Sequence, residues 1–184
     1  KGEEAAEKQA KEAVEKQAKG KEAEKGAADE KTKKPDVRPE DVESFRKSKD
    51  PETMEIVALY DEIEKYYAEL ATARNVADGE DKEARKAEKD VKSYESKIKR
   101  QTRKLENAVE KFTRPLRKDY EETKEKYDSL RGKGDQLSDQ KQEKRATALY
   151  QQADRLTGKM ESAKRQLDVA QWFLVFDNAV PIAE

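Results

Sequence analysis

A single heptad phase running from Ile56 to Phe112 constrains this chain more than any other feature. Apolar residues spaced three and four apart keep one stripe of a helix against a neighbour over many turns. The series is Ile56, Leu59, Ile63, Tyr66, Leu70, Ala73, Ala77, Glu80, Ala84, Ala87, Val91, Tyr94, Ile98, Gln101, Leu105, Ala108 and Phe112. Only Glu80 and Gln101 break its apolar character. Such a pattern builds helix-helix seams rather than catalytic pockets.

Composition narrows the function classes. With 184 residues, 45% charged and 33% hydrophobic, the chain belongs with long helices or disordered segments rather than compact globular enzymes. Histidine and cysteine are both absent. The usual general base near neutral pH, the thiol nucleophile and all imidazole or thiolate metal ligands are therefore missing. Carboxylates are plentiful, but none stands in the Glu-x-x-His arrangement that builds dinuclear sites in helical bundles. No enzyme, cofactor or metal centre is expected. The lack of disulfides slightly favours a reducing intracellular or organellar compartment and is compatible with an exported bundle, which needs no covalent staple. No apolar run approaches the length needed to cross a bilayer. The chain begins at Lys1, with methionine only at Met54 and Met160, so its start is expected to have been removed, which leaves room for a targeting peptide.

Residues 1–34 are almost entirely Lys, Glu, Ala, Gln and Gly, with the pentad EKQAK at 7–11 and again at 15–19. Helix propensity is high there and core-forming capacity nearly nil, which predicts a charged helical arm or tether. Residues 35–50 read as a proline-containing linker with a short helix from Pro39, where proline suits a first turn. Asp50-Pro51-Glu52 is a helix start: a capping aspartate, proline at the first helical position, and an acid near the positive end of the dipole.

From 51 to 178 the pattern predicts a helical bundle with helices over about 51–78, 81–131 and 136–177. The first reversal is assigned to Asp78-Gly79-Glu80-Asp81. The unbroken heptad phase argues for one continuous helix there. The extra apolar residues Val57, Tyr60 and Tyr67 argue for a helix touching two neighbours, hence for a turn. The second reversal is assigned to Gly132-Lys133-Gly134-Asp135, two glycines followed by a candidate cap. Gly132-Lys133-Gly134 lacks the spacing and the terminal Lys-Ser or Lys-Thr of a phosphate loop. Between the reversals, Pro115 coincides with a one-residue stutter in the apolar spacing. The last helix, ~60 Å long at 1.5 Å per residue, should bring its tip back to the level of residues 90–95. Residues 179–184 form a tail. The fold class is all-α: an elongated antiparallel coiled-coil helical hairpin, three-helix at the end away from Gly132, with a charged N-terminal helical arm.

Two surfaces stand out. Trp172, Phe173, Leu174, Val175 and Phe176 are consecutive, so they point around the helix and one seam cannot cover them. Either a third helix, 51–70, covers them, or they dock a partner. Trp172, Phe173, Val175 and Phe176, extended by Val180 and Ile182, are the preferred partner-binding site. The second surface is electrostatic. Residues 97–118 carry Lys97, Lys99, Arg100, Arg103, Lys104, Lys111, Arg114, Arg117 and Lys118 against only Glu106 and Glu110, whereas residues 51–80 are strongly acidic. Lys97, Arg100, Arg103, Lys104, Lys111, Arg114 and Lys118 are thus candidate anion-binding residues. No aromatic residue is interleaved for base stacking, and the acidic helix 51–70 is a ready internal partner.

The expected function is that of a non-enzymatic structural or scaffold coiled-coil subunit, mediating protein-protein interactions with other subunits of a larger assembly. Homo-oligomers are compatible with it. The alternative is a binding module for anionic surfaces, nucleic acid or membrane, through the basic face 97–118.

Overall fold

The computed structural model describes residues 34–77 and 82–182. By contacts the chain divides into Lys1–Lys34 and Pro35–Glu184, and the account below concerns the second unit. The charged arm expected over 1–34 and the turn expected at 78–81 fall, Lys34 apart, outside the described residues. Among the described residues all regular structure is helical, in four helices that pack against one another: α1 (Pro39–Arg46), α2 (Pro51–Ala77), α3 (Lys82–Asp139) and α4 (Glu143–Trp172).

Local chemistry sets the starts. Arg38 donates from Nε and Nη2 to the two carboxylate oxygens of Asp41 at 2.9 and 3.1 Å, clamping the entry to α1, which opens at Pro39. Eight residues cannot hold a helix alone. The Phe45 ring holds α1 in place, meeting Phe112 edge-on with centroids 5.4 Å apart and Phe173 at 5.1 Å. At the head of α2, the Asp50 carboxylate accepts from the Thr53 backbone N–H at 3.0 Å and from its hydroxyl at 2.9 Å. Thr53 is buried beneath this cap. The same bonds, the backbone one first, hold the Asp50 carboxyl below the usual carboxylate range.

α3 is the spine. Its 58 residues span ~87 Å at 1.5 Å per residue. α2 lies antiparallel along its first half, the register fixed by Lys111 with Glu52 at 3.0 Å, Gln101 donating to Glu62 at 2.7 Å, and Arg74 with Glu95 at 2.8 Å. α4 lies along its second half, where the Tyr150 hydroxyl donates to Asp135 at 2.7 Å. The backbones of α2 and α4 do not approach each other, and the two helices meet through side chains, Tyr60 of α2 against Trp172 at the end of α4 with ring centroids 5.6 Å apart.

Two sequence expectations are corrected. The chain does not reverse at Gly132–Asp135, because α3 continues to Asp139 and the reversal occupies residues 140–142. There the N–H of Gln142 reaches the Leu137 carbonyl at 2.8 Å, and that of Lys141 reaches Ser138 at 2.8 Å. This is a Schellman closure with Lys141 at φ 59° in the position glycine usually fills. Gly134 lies inside α3, and the Tyr150 ring fills the space that a side chain there would need, an added Cβ meeting Cδ1 at 2.8 Å. The glycine was a packing signal rather than a turn signal.

The second correction concerns the last helix. It ends at Trp172 rather than 177, its final carbonyls taken by the N–H groups of Leu174 at 3.0 Å and Val175 at 3.3 Å. A later start and an earlier end leave its tip near Phe112, well short of residues 90–95. The expected side-by-side third helix is therefore replaced by an end-to-end meeting of α2 and α4 on a shared spine.

Candidate docking surfaces

The aromatic run forms the centre of the core at this meeting point. Phe173 is 0% exposed, and its ring lies 5.2 Å from Tyr60 and 5.0 Å from Trp172. Phe176 stacks on Tyr60 at 5.4 Å and leans on Tyr67 at 5.5 Å. The Arg46 guanidinium lies 5.5 Å from the Tyr60 ring centroid and 5.4 Å from that of Phe173, and pairs with Asp61 at 2.8 Å. Burial, joined by the charges of Glu64 and Asp177, pushes the Tyr60 hydroxyl well above its ordinary range.

Beyond Phe173 the chain runs along α2 as a strap. The Glu64 carboxylate accepts from the Asp177 backbone N–H at 2.9 Å and from the Asn178 side-chain amide at 2.6 Å. Arg74 donates to the Pro181 carbonyl at 2.6 Å. Val180 and Ile182 are partly buried against the same core, as are Trp172 and Phe176. Val175 is half-buried in the turn. Five of the six residues expected to dock a partner, Val175 apart, are thus brought together on the chain's own core.

The basic residues separate into two flanks. Lys97 sits over the rings of Tyr66 at 5.4 Å and Tyr94 at 5.1 Å, Lys111 pairs with Glu52, and Lys104 lies in the field of Glu62. This heptad-spaced flank faces α2. Glu62 is held below the usual carboxylate range by hydrogen bonds from Tyr66 and Gln101, with Lys104 and Arg100 adding to the effect. Arg103, Arg114 and Lys118 lie on the exposed back of the spine, and Arg100, also exposed, stands at its edge within the field of Glu62. Neither Arg103 nor Arg114 has an ion pair among the described residues. The sequence grouped all seven as one surface.

The sequence did not single out a groove of about 630 Å³ between the end of α2 and the start of α3, lined by Ala68, Ala73, Val76, Ala87 and Tyr94 with Lys65, Glu69 and Asp90 at its rim. Val76 is 47% exposed there. The run of alanines in the heptad series was its only signal, since small seam residues leave space beside the contact. Among the described residues no cluster of acids could hold a metal ion, and no helix is long and apolar enough to cross a membrane. No protein family, curated protein or solved structure matches this chain.

Proposed function

We propose that the chain is a structural subunit, an antiparallel coiled-coil scaffold that sets distance within a larger protein assembly. The observation that carries this reading is the spine: 58 continuous helical residues run past two shorter helices that clamp its two halves in turn. Most of a helix's stability in a protein comes from packing its apolar face. Here a heptad-spaced set, Ile56, Ile63 and Leu70 on α2 with Ile98 and Leu105 on α3, is buried at the first seam. Ala146 and Ala153 are buried on α4 at the second. The charged back of the rod keeps it soluble and offers polar docking positions along its length.

Crosslinking mass spectrometry in extract of the native source tests the proposal, through peptides joined to Lys159, Lys164 and the lysines of α3. Reproducible crosslinks to defined positions on a fixed set of other subunits, lost on dissociating the assembly, are the expected result. Internal crosslinks alone, with the protein migrating at its own mass, would remove the scaffold reading.

A second reading, binding of anionic surfaces, is favoured by the exposure of Arg100, Arg103 and Arg114 on one side of the rod. It requires affinity for nucleic acid or anionic vesicles that falls steeply with salt and disappears on charge reversal at Arg100, Arg103 and Lys104.

A further inference from the structure

The back of α3, away from both α2 and α4, changes sign along its length. At spacings of three, four or seven it presents, from Arg100 at its edge, Arg103, Asn107, Glu110, Arg114 and Lys118, and then Glu121, Glu125, Asp128, Gly132 and Asp139. All of these are exposed. Bases predominate in the first part of the stripe, where Glu110 is already paired with Arg117 at 3.0 Å, and acids fill the second, with the change between Lys118 and Glu121. A stripe of this kind is complementary to itself when reversed.

We propose that two copies of this chain pair back to back, antiparallel, through α3, about a two-fold axis passing between Lys118 and Glu121. In that register Lys118 faces Glu121 of the second copy, Arg114 faces Glu125, and Arg100 faces Asp139. Each pair occurs twice by symmetry, as an isologous interface requires. The paired length, from 100 to 139, is ~58 Å at 1.5 Å per residue. Asn107 falls opposite Gly132, whose surroundings are open, with nothing within 4 Å of an added Cβ. The rods can approach closely at that level.

The opposite, parallel arrangement would set Arg100 on Arg100 and Glu125 on Glu125, so the charge order selects one orientation. None of Arg103, Arg114, Glu125 and Asp139 has an ion pair among the described residues, so pairing breaks no internal bridge at those positions. Lys118 gives up only a 3.8 Å contact with Glu122, one turn away. Exposed ion pairs are individually weak and screened by salt. The pairing is accordingly a salt-sensitive association of a scaffold rather than an obligate dimer. It deepens the structural-subunit reading, on which it rests for its purpose.

The test is sedimentation equilibrium of the full chain at low and high ionic strength, with circular dichroism confirming that every variant remains folded. The expected result is a dimer at low salt whose dissociation constant rises on the order of tenfold or more toward 0.5 M salt, where screening has shortened to a few ångströms. Arg114→Glu and Glu125→Arg should each give a monomer, and the double variant, which exchanges the two charges, should restore the dimer. A monomer at low salt overturns the pairing. So does a dimer indifferent to salt, or a double variant no better than the singles. Binding of nucleic acid or anionic vesicles without self-association would place the stripe's partner elsewhere and equally overturn it. None of these failures touches the crosslinks to other subunits that test the scaffold reading.

Discussion

Phe173→Ala should be the most damaging single truncation in the described structure. The side chain is 0% exposed, and its ring has three aromatic neighbours, Phe45 at 5.1 Å, Tyr60 at 5.2 Å and Trp172 at 5.0 Å. Removing a buried Phe side chain costs about 3–5 kcal/mol. Each well-placed ring pair adds roughly 0.5–1.5 kcal/mol beyond its buried area. The loss should therefore fall near the top of the range, at about 4–5 kcal/mol. A domain is stable by only about 5–15 kcal/mol, so this variant would sit close to its unfolding threshold. With a urea slope of about 2 kcal/mol per molar, the midpoint should move down by about 2 M. Trp172 is the only tryptophan, so its fluorescence reports the joint directly while far-UV circular dichroism reports the helices. Both probes should shift together, because the joint ties α1, α2 and α4 to the spine. Met54→Ala, at a residue 56% exposed, should stay within about 0.5 kcal/mol of the parent. A Phe173→Ala midpoint within about 0.5 M of the parent would refute the placement of the aromatic run in the core.

The helical glycines give a prediction of opposite signs. Gly132→Ala and Gly158→Ala meet nothing within 4 Å and should each stabilise by about 1 kcal/mol in thermal or urea melts, whereas Gly134→Ala drives a methyl group into the Tyr150 ring and should destabilise. Lys141→Gly should relieve the left-handed backbone at φ 59° and raise stability by about 1 kcal/mol in the same assay. Asp50 and Glu62 are both held below the ordinary carboxylate range, so their contribution is complete above about pH 4 and lost as pH falls through their folded values. Asp50→Asn should therefore give a shallower acid limb in urea melts taken from pH 7 down to pH 2.5. Tyr60 is shifted upward, so its contribution is complete below about pH 10 and lost as pH climbs through the raised value. Tyr60→Phe keeps the ring contacts and should flatten the alkaline limb of the same profile.

Helix starts were legible because their chemistry is local. Asp50, Pro51 and Thr53 lie within one turn, and the capping bonds at 3.0 and 2.9 Å need nothing from the rest of the chain. Seam residues were legible for a similar reason, since a three-four spacing specifies a face whatever covers it. Ile56, Ile63, Leu70, Ala84, Ala87, Ile98, Leu105 and Ala108 of the series are all buried. The second reversal was not legible. Two glycines resemble a turn, while the residue that takes the left-handed conformation is Lys141, which carries no such signal. The deciding contact at Gly134 is a Tyr150 ring from the returning helix, a contact that exists only once the two helices are in register.

The docking surfaces divide along the same line between local and tertiary information. Consecutive Trp172, Phe173, Leu174, Val175 and Phe176 announce that more than one neighbour is needed, but not whether those neighbours belong to this chain. The answer depends on where α4 stops, and that depends on the late reversal at 140–142 and on the strap held by Glu64 and Arg74. Charge behaves likewise. The excess of bases between 97 and 118 is visible in one dimension. Its division into Lys97, Lys104 and Lys111 toward α2, and Arg103, Arg114 and Lys118 toward solvent with Arg100 between them, follows from the antiparallel register that sets Glu52 on Lys111 and Glu62 near Lys104 and Arg100. Once that register neutralises one flank, the remaining bases form a narrower stripe in line with the acids further down the spine. A stripe with both signs in sequence selects a partner by order of charge rather than by total charge, which a count of residues cannot reveal.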